Sequence, residues 1–76
     1  MNFALNTLPD VVTRRRLLGI EPTAEFVGRS VPEIRRLIRL GLFPKPLKLN
    51  GRRLSWRIGD LIDWIDSKAE QQKETA

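Results

Sequence analysis

The sequence predicts a small α+β domain, mainly α with one β-hairpin, and three local signals predict it. Ser30 and Glu33 form a Ser-x-x-Glu box at the head of an apolar-striped segment, the signature of a helix start. Gly28 and Gly41 each close a short helical stretch, as expected where a left-handed residue ends a helix. Asn50-Gly51 stands between two leucine-bearing segments, the dipeptide favoured in two-residue hairpin turns.

Residues 1–19 read as an N-terminal extension. Over Asn6 to Gly19, Thr7, Pro9 and Asp10 offer a capped start to a short helix. Leu8, Val11, Val12, Leu17 and Leu18 would be its stripe, and an extended reading of Arg15 to Ile20 is also open. Residues 20–70 read as the folded domain. A first helix is predicted over about 21–28, with Pro22 at the first helical position and Ile20, Ala24 and Val27 (or Phe26) facing inward. The clearest helix covers about 30–41, where Val31, Ile34, Leu37 and Ile38 fall on one face. Two short helices joined by the tight turn at Gly28 and Arg29 make a helix-turn-helix.

Pro44 and Pro46 hold the chain extended after Gly41. A hairpin is then predicted over about 47–56. A two-residue turn at Asn50-Gly51 sets Lys48 opposite Arg53 and Leu47 opposite Leu54. One face would carry Leu47, Leu49, Leu54 and Trp56. The other would carry Lys48, Arg53 and Arg57, with Arg52 at the tip. The last helix is predicted over about 58–70, with Ile58, Leu61, Ile62 and Ile65 as its stripe and Trp64 beside it. Asp60 and Asp63 lie near its start, where the helix dipole favours anions. Residues 71–76 read as a frayed tail. Trp56 and Trp64 are expected in the core. The whole is a winged helix-turn-helix, the hairpin being the wing.

Composition narrows the function. Seventy-six residues make one domain with a small core. No apolar run is long enough to span a bilayer, and Met1 to Asp10 lacks a signal-peptide pattern, so a cytoplasmic, nucleoid-associated protein is expected, with no membrane partner. The chain has neither cysteine nor histidine. Disulfides, thiolate metal sites, cysteine nucleophiles and the usual neutral-pH proton shuttle are thereby excluded. No enzyme, metal, cofactor or small-molecule ligand is expected.

Charge is distributed unevenly. The net charge is +5, but residues 29–57 hold nine basic side chains against one acid, Glu33. Residues 1–28 are balanced, and residues 58–76 carry two lysines against five acids. Such clustering is the footprint of a polyanion-binding surface. A helix fits the major groove of a duplex and presents its N-terminal residues to base edges. On the second helix of the pair those are Arg29, Ser30, Pro32, Glu33, Arg35 and Arg36, with Arg39 further along. Ser30 and Glu33 read first as cap partners. Lys45, Lys48, Asn50, Arg52, Arg53 and Arg57 are the candidate contacts of the wing and the loop before it. Arg14-Arg15-Arg16 reads as a solvated run balanced by nearby acids.

These residues carry a family resemblance. Gly28-Arg29-Ser30, Arg36-Leu37-Ile38, Gly41-Leu42-Phe43-Pro44-Lys45-Pro46, Lys48-Leu49-Asn50-Gly51-Arg52, Trp56-Arg57 and Leu61-Ile62-Asp63-Trp64-Ile65 together resemble the AlpA-type prophage regulators. The likeness covers about residues 20–66. That family is similar to phage excisionases and MerR-type DNA-binding domains. The resemblance implies a winged helix, sequence-specific binding of double-stranded DNA, and a role in transcription control or prophage excision. Val31, Pro32 and Arg35 depart from the family's usual residues at the start of the recognition helix, so the base sequence read is expected to differ from that of its relatives.

Transcriptional regulation is therefore the leading expectation. An excisionase-like factor that binds repeated sites and bends the duplex is the alternative, with self-association on adjacent sites. A different class is a protein-interaction module, in which the acidic last helix and a hydrophobic tip at Leu42-Phe43 would dock a partner.

Overall fold

The computed structural model describes residues 10–49 and 51–75. Among them the elements run α1 (Asp10–Arg14), β1 (Leu17–Gly19), α2 (Ile20–Val27), α3 (Val31–Arg39), β2 (Leu47–Lys48), β3 (Leu54–Arg57) and α4 (Ile58–Thr75). The three strands form one antiparallel sheet in the order β1-β3-β2. The α+β class and the winged helix-like arrangement expected from the sequence are both present.

Local chemistry explains α2 and α3. At the start of α3, Ser30 Oγ accepts from the Glu33 backbone N–H at 3.3 Å, and Glu33 Oε1 accepts from the Ser30 backbone N–H at 3.0 Å. The box thus satisfies two amide donors that have no partner inside the helix. Both helices end in the same way. Gly28 and Gly41 sit at φ of 74° and 72°. The following amides turn back, Arg29 N–H to the Ala24 carbonyl at 2.8 Å and Leu42 N–H to the Leu37 carbonyl at 2.9 Å. These are Schellman closures, which a side chain at either glycine would strain. Helix α2 starts at Ile20, one residue earlier than expected, with extended Gly19 as its N-cap.

The extension resolves into both of its alternatives. Asp10–Arg14 is helical, and Leu17–Gly19 is a strand paired with β3, Leu18 lying opposite Trp56. The caps expected at Thr7 and Pro9 lie outside the described residues. Arg14 ties α1 to α4: its guanidinium reaches Asp63 at 2.8 Å and donates to the Gly59 carbonyl at 3.3 Å. Helix α4 continues past Glu70 to Thr75. Gln71, Gln72, Lys73 and Glu74 are good helix formers, which outweighs the end of the apolar stripe.

The core gathers Ala24, Ile34, Phe43, Trp56 and Leu61. Phe43 is its centre. Its ring meets Trp56 edge-on at 5.6 Å and Trp64 at 4.9 Å. The two indoles also hold the chain on either side of Phe43. Trp56 Nε1 donates to the Pro44 carbonyl at 2.8 Å, and Trp64 Nε1 donates to the Leu42 carbonyl at 3.0 Å. The inward stripe of α4 therefore runs Ile58, Leu61, Trp64, and Ile65, expected inside, is partly exposed. Phe43 is correspondingly buried, so it is not the exposed half of a hydrophobic docking tip. Thr23 is a core residue that its polarity concealed; it is fully buried and its hydroxyl donates to the Leu18 carbonyl at 3.4 Å.

The hairpin forms, but one residue out of the expected register. Leu47 pairs with Ser55 and Lys48 with Leu54, leaving residues 49–53 between the paired segments. Asn50 of the expected two-residue turn lies outside the described residues. The cause is tertiary. Trp56 is held by Phe43, Pro44 and Leu18, and these contacts outweigh the local preference of the turn. A one-residue shift turns every side chain of β2 to the other face. Lys48 thus shares the side of Leu54 and Trp56, while Leu47 points to the opposite side, and both Leu47 and Leu49 are exposed. The expected division into a leucine face and a cationic face does not hold.

Candidate nucleic-acid interface

Register and helix rotation together decide which cations meet. Ile34 is fully buried, so α3 presents Arg35 and Arg39 to one side of that anchor and Arg36 and Glu33 to the other. Trp56 and Leu54 face the helix pair, and Lys48 lies on their side of the sheet. Arg35 is consequently brought to the wing. It lines a groove of about 680 Å³ together with Lys48, Arg52 and Arg53, and the start of α2 supplies the groove's acid, Glu21. The groove is a concavity between a helix and a ribbon, cationic on both walls.

The remaining candidates are distributed around it. Arg29 and Arg36 line a second groove of about 520 Å³ between α3 and α4, over an apolar floor that includes Leu37 and Trp64. Arg39 and Lys45 are exposed and line neither groove. Pro32 is exposed on the first turn of α3. Ser30 and Glu33 are occupied with each other in the capping box, and Glu33 also pairs with Arg29 at 3.6 Å. The hydrogen bond from the Ser30 backbone, reinforced by the Ser30 hydroxyl and by Arg29, holds the Glu33 carboxyl below the usual glutamate range. Arg57 lies apart from the wing cations. Its guanidinium is held by Asp60 at the start of α4, at 3.1 and 3.2 Å. Asn50 falls outside the described residues.

Most of these cations are uncompensated. Among the described residues, no carboxylate pairs with Arg35, Arg36, Arg39, Lys45, Lys48, Arg52 or Arg53. Two acids of α4 are spent elsewhere, Asp60 on Arg57 and Asp63 on Arg14. Free cations on a concave frame attract phosphate, and guanidinium forks suit both phosphate oxygens and the guanine edge. Sequence reasoning identified every cation of the first groove, but not that Arg35 and Arg36 serve different grooves. Glu21 was also missed, and its neighbourhood to the wing has no local signal. Groups of acidic residues able to hold a metal ion are absent among the described residues, and no helix among them is long and apolar enough to cross a membrane.

Comparison with known proteins adds a family. Residues 16–69 match the family model described as Prophage CP4-57 regulatory protein (AlpA). The matched span begins just before β1 and takes in the sheet, the helix pair and most of α4. A protein of Enterobacteria phage P4, named Uncharacterized protein ORF88, is 30% identical over 69 residues, which cover 91% of this chain and 77% of the relative. No solved structure matches the chain significantly.

Proposed function

Because this chain belongs to the AlpA family of prophage regulatory proteins, we propose that it is a sequence-specific double-stranded DNA-binding protein that regulates transcription. Helix α3 enters the major groove, and the β2–β3 wing lies along the backbone or in the adjacent minor groove. The observation that carries this reading is the groove shared by Arg35, Lys48, Arg52 and Arg53. A helix wall and a ribbon wall, both cationic and held by one aromatic cluster, match a duplex that offers phosphates on both sides of a groove. Arg29, Arg36 and Arg39 extend the helix contact, and Lys45 extends the contact of the loop. The protein acts where the prophage genome is, in the cytoplasm on DNA, without cofactor or catalytic step.

The test is a footprint on DNA upstream of its own gene and at nearby recombination sites, followed by binding over a salt series. Neutralising about six phosphates gives a log–log salt slope near about −5. A slope shallower than about −2, or no duplex binding, would contradict the proposal.

A further inference from the structure

The groove between α3 and the wing holds one acid among its cations. Glu21, in the first turn of α2, lines it with Arg35, Lys48, Arg52 and Arg53, and all five residues are exposed. Among the described residues, no arginine or lysine comes within ion-pair distance of Glu21. The dipole of α2 favours an acid in this turn, and it leaves both carboxylate oxygens open to a donor from outside the fold.

A duplex offers a carboxylate few partners. Its oxygens only accept hydrogen bonds, so phosphates and the N7 and O6 of guanine repel it. The donors in the major groove are the amino groups of cytosine (N4) and adenine (N6). Adenine sets the acceptor N7 beside its amino group, which opposes a second negative atom, whereas cytosine presents only its donor. Cytosine is therefore the base that suits Glu21.

We infer that Glu21 is a specificity-determining residue: on the DNA-binding reading, its carboxylate accepts a hydrogen bond from N4 of one cytosine in the major groove and repels phosphate in registers that lack that cytosine. Arg35 and Glu21 then select different bases from one groove, the guanidinium suiting guanine and the carboxylate suiting cytosine. The four cations attract any sequence. The acid opposes that attraction except at the matching site, which widens the gap between cognate and other DNA.

The wild-type protein, Glu21→Ala and Glu25→Ala are compared on the footprinted duplex, on its single-base variants and on a shuffled duplex. Glu25 is the control: it lies on the same helix, is exposed and lines neither groove. Its removal changes the net charge by the same amount. The wild type is expected to prefer cytosine at one position by about tenfold. Glu21→Ala is expected to lose most of that preference, to keep the others and to bind the shuffled duplex about threefold to tenfold more tightly. Glu25→Ala is expected to keep the wild-type profile. Unchanged preference at every position in Glu21→Ala overturns the inference while leaving DNA binding intact. Weaker binding of Glu21→Ala to all duplexes alike also overturns it, and makes the carboxylate a positioning partner of the wing cations. Equal effects of the two substitutions overturn it as well, and assign the change to net charge. A wild-type protein that binds no duplex at all sinks the underlying reading, a result distinguishable from each of these.

Discussion

Trp56 donates its indole N–H to the carbonyl of Pro44 at 2.8 Å, joining the wing strand to the loop that leaves α3. The bond spans 12 residues and is partly buried, so water does not readily replace either partner.

Trp56→Phe keeps an aromatic ring beside Phe43 but leaves the Pro44 carbonyl without its donor. The expected loss of stability is about 1–3 kcal/mol, the cost of an unsatisfied buried acceptor. Urea unfolding monitored by circular dichroism measures it. An unchanged midpoint would mean that the bond contributes nothing.

Gly59 marks where α1 meets α4. A methyl group there would meet both Cβ and the carbonyl oxygen of Arg14 at 3.1 Å. Backbone does not give way as a side-chain tip does, so Gly59→Ala is expected to push α1 off α4 at a cost of about 1–3 kcal/mol. Amide hydrogen exchange should show faster exchange across residues 12–16 while α3 stays protected. Uniform loss of protection would point to a wider role for this contact.

The capping box makes a pH prediction. The Glu33 carboxyl is lowered in the folded state, first by the Ser30 backbone hydrogen bond. A depressed carboxylate contributes stability that is present above its unfolded value and lost as pH falls through its folded value. Wild type minus Glu33→Gln stability should therefore be constant near neutrality and shrink below about pH 4.5, the ordinary glutamate value. Denaturant titrations across that range test the sign. A difference that grew on acidification would contradict it.

Arg35 and Arg53 face the same groove from opposite walls. On the proposed reading the helix residue reads a base edge and the ribbon residue holds the backbone. Arg35→Ala is expected to relax preference at one base pair, by about 1–3 kcal/mol. Arg53→Ala should weaken all sequences alike and reduce the salt slope by about 1. Binding to a panel of single-base variants separates the two, and identical profiles would remove the division of labour.

What was legible in the sequence is what short-range chemistry decides. Ser30 and Glu33 are three residues apart, and Gly28 and Gly41 act on the helix ends beside them, so both helices could be placed from local pattern. The strand Leu17–Gly19 is too short to show alternation, and only its pairing with β3 defines it. The wing register escaped for a different reason. Asn50-Gly51 states a local preference, but Trp56 answers to Phe43 and Pro44, and a buried indole outweighs a turn. Leu47 and Lys48 exchanged faces as a result. The partition of Arg35 and Arg36 between two grooves likewise depends on how α3 rotates about Ile34, which nothing within α3 alone dictates.

The clamp of two indoles on the carbonyls flanking Phe43 has a metrical consequence. The connector between helix and ribbon is gripped from β3 and from α4 at once. Such a grip favours one spacing between the two, as in a calliper set to a gauge. On the proposed DNA-binding reading, a single base pair inserted between the stretch touched by the helix and the stretch touched by the ribbon is expected to weaken binding.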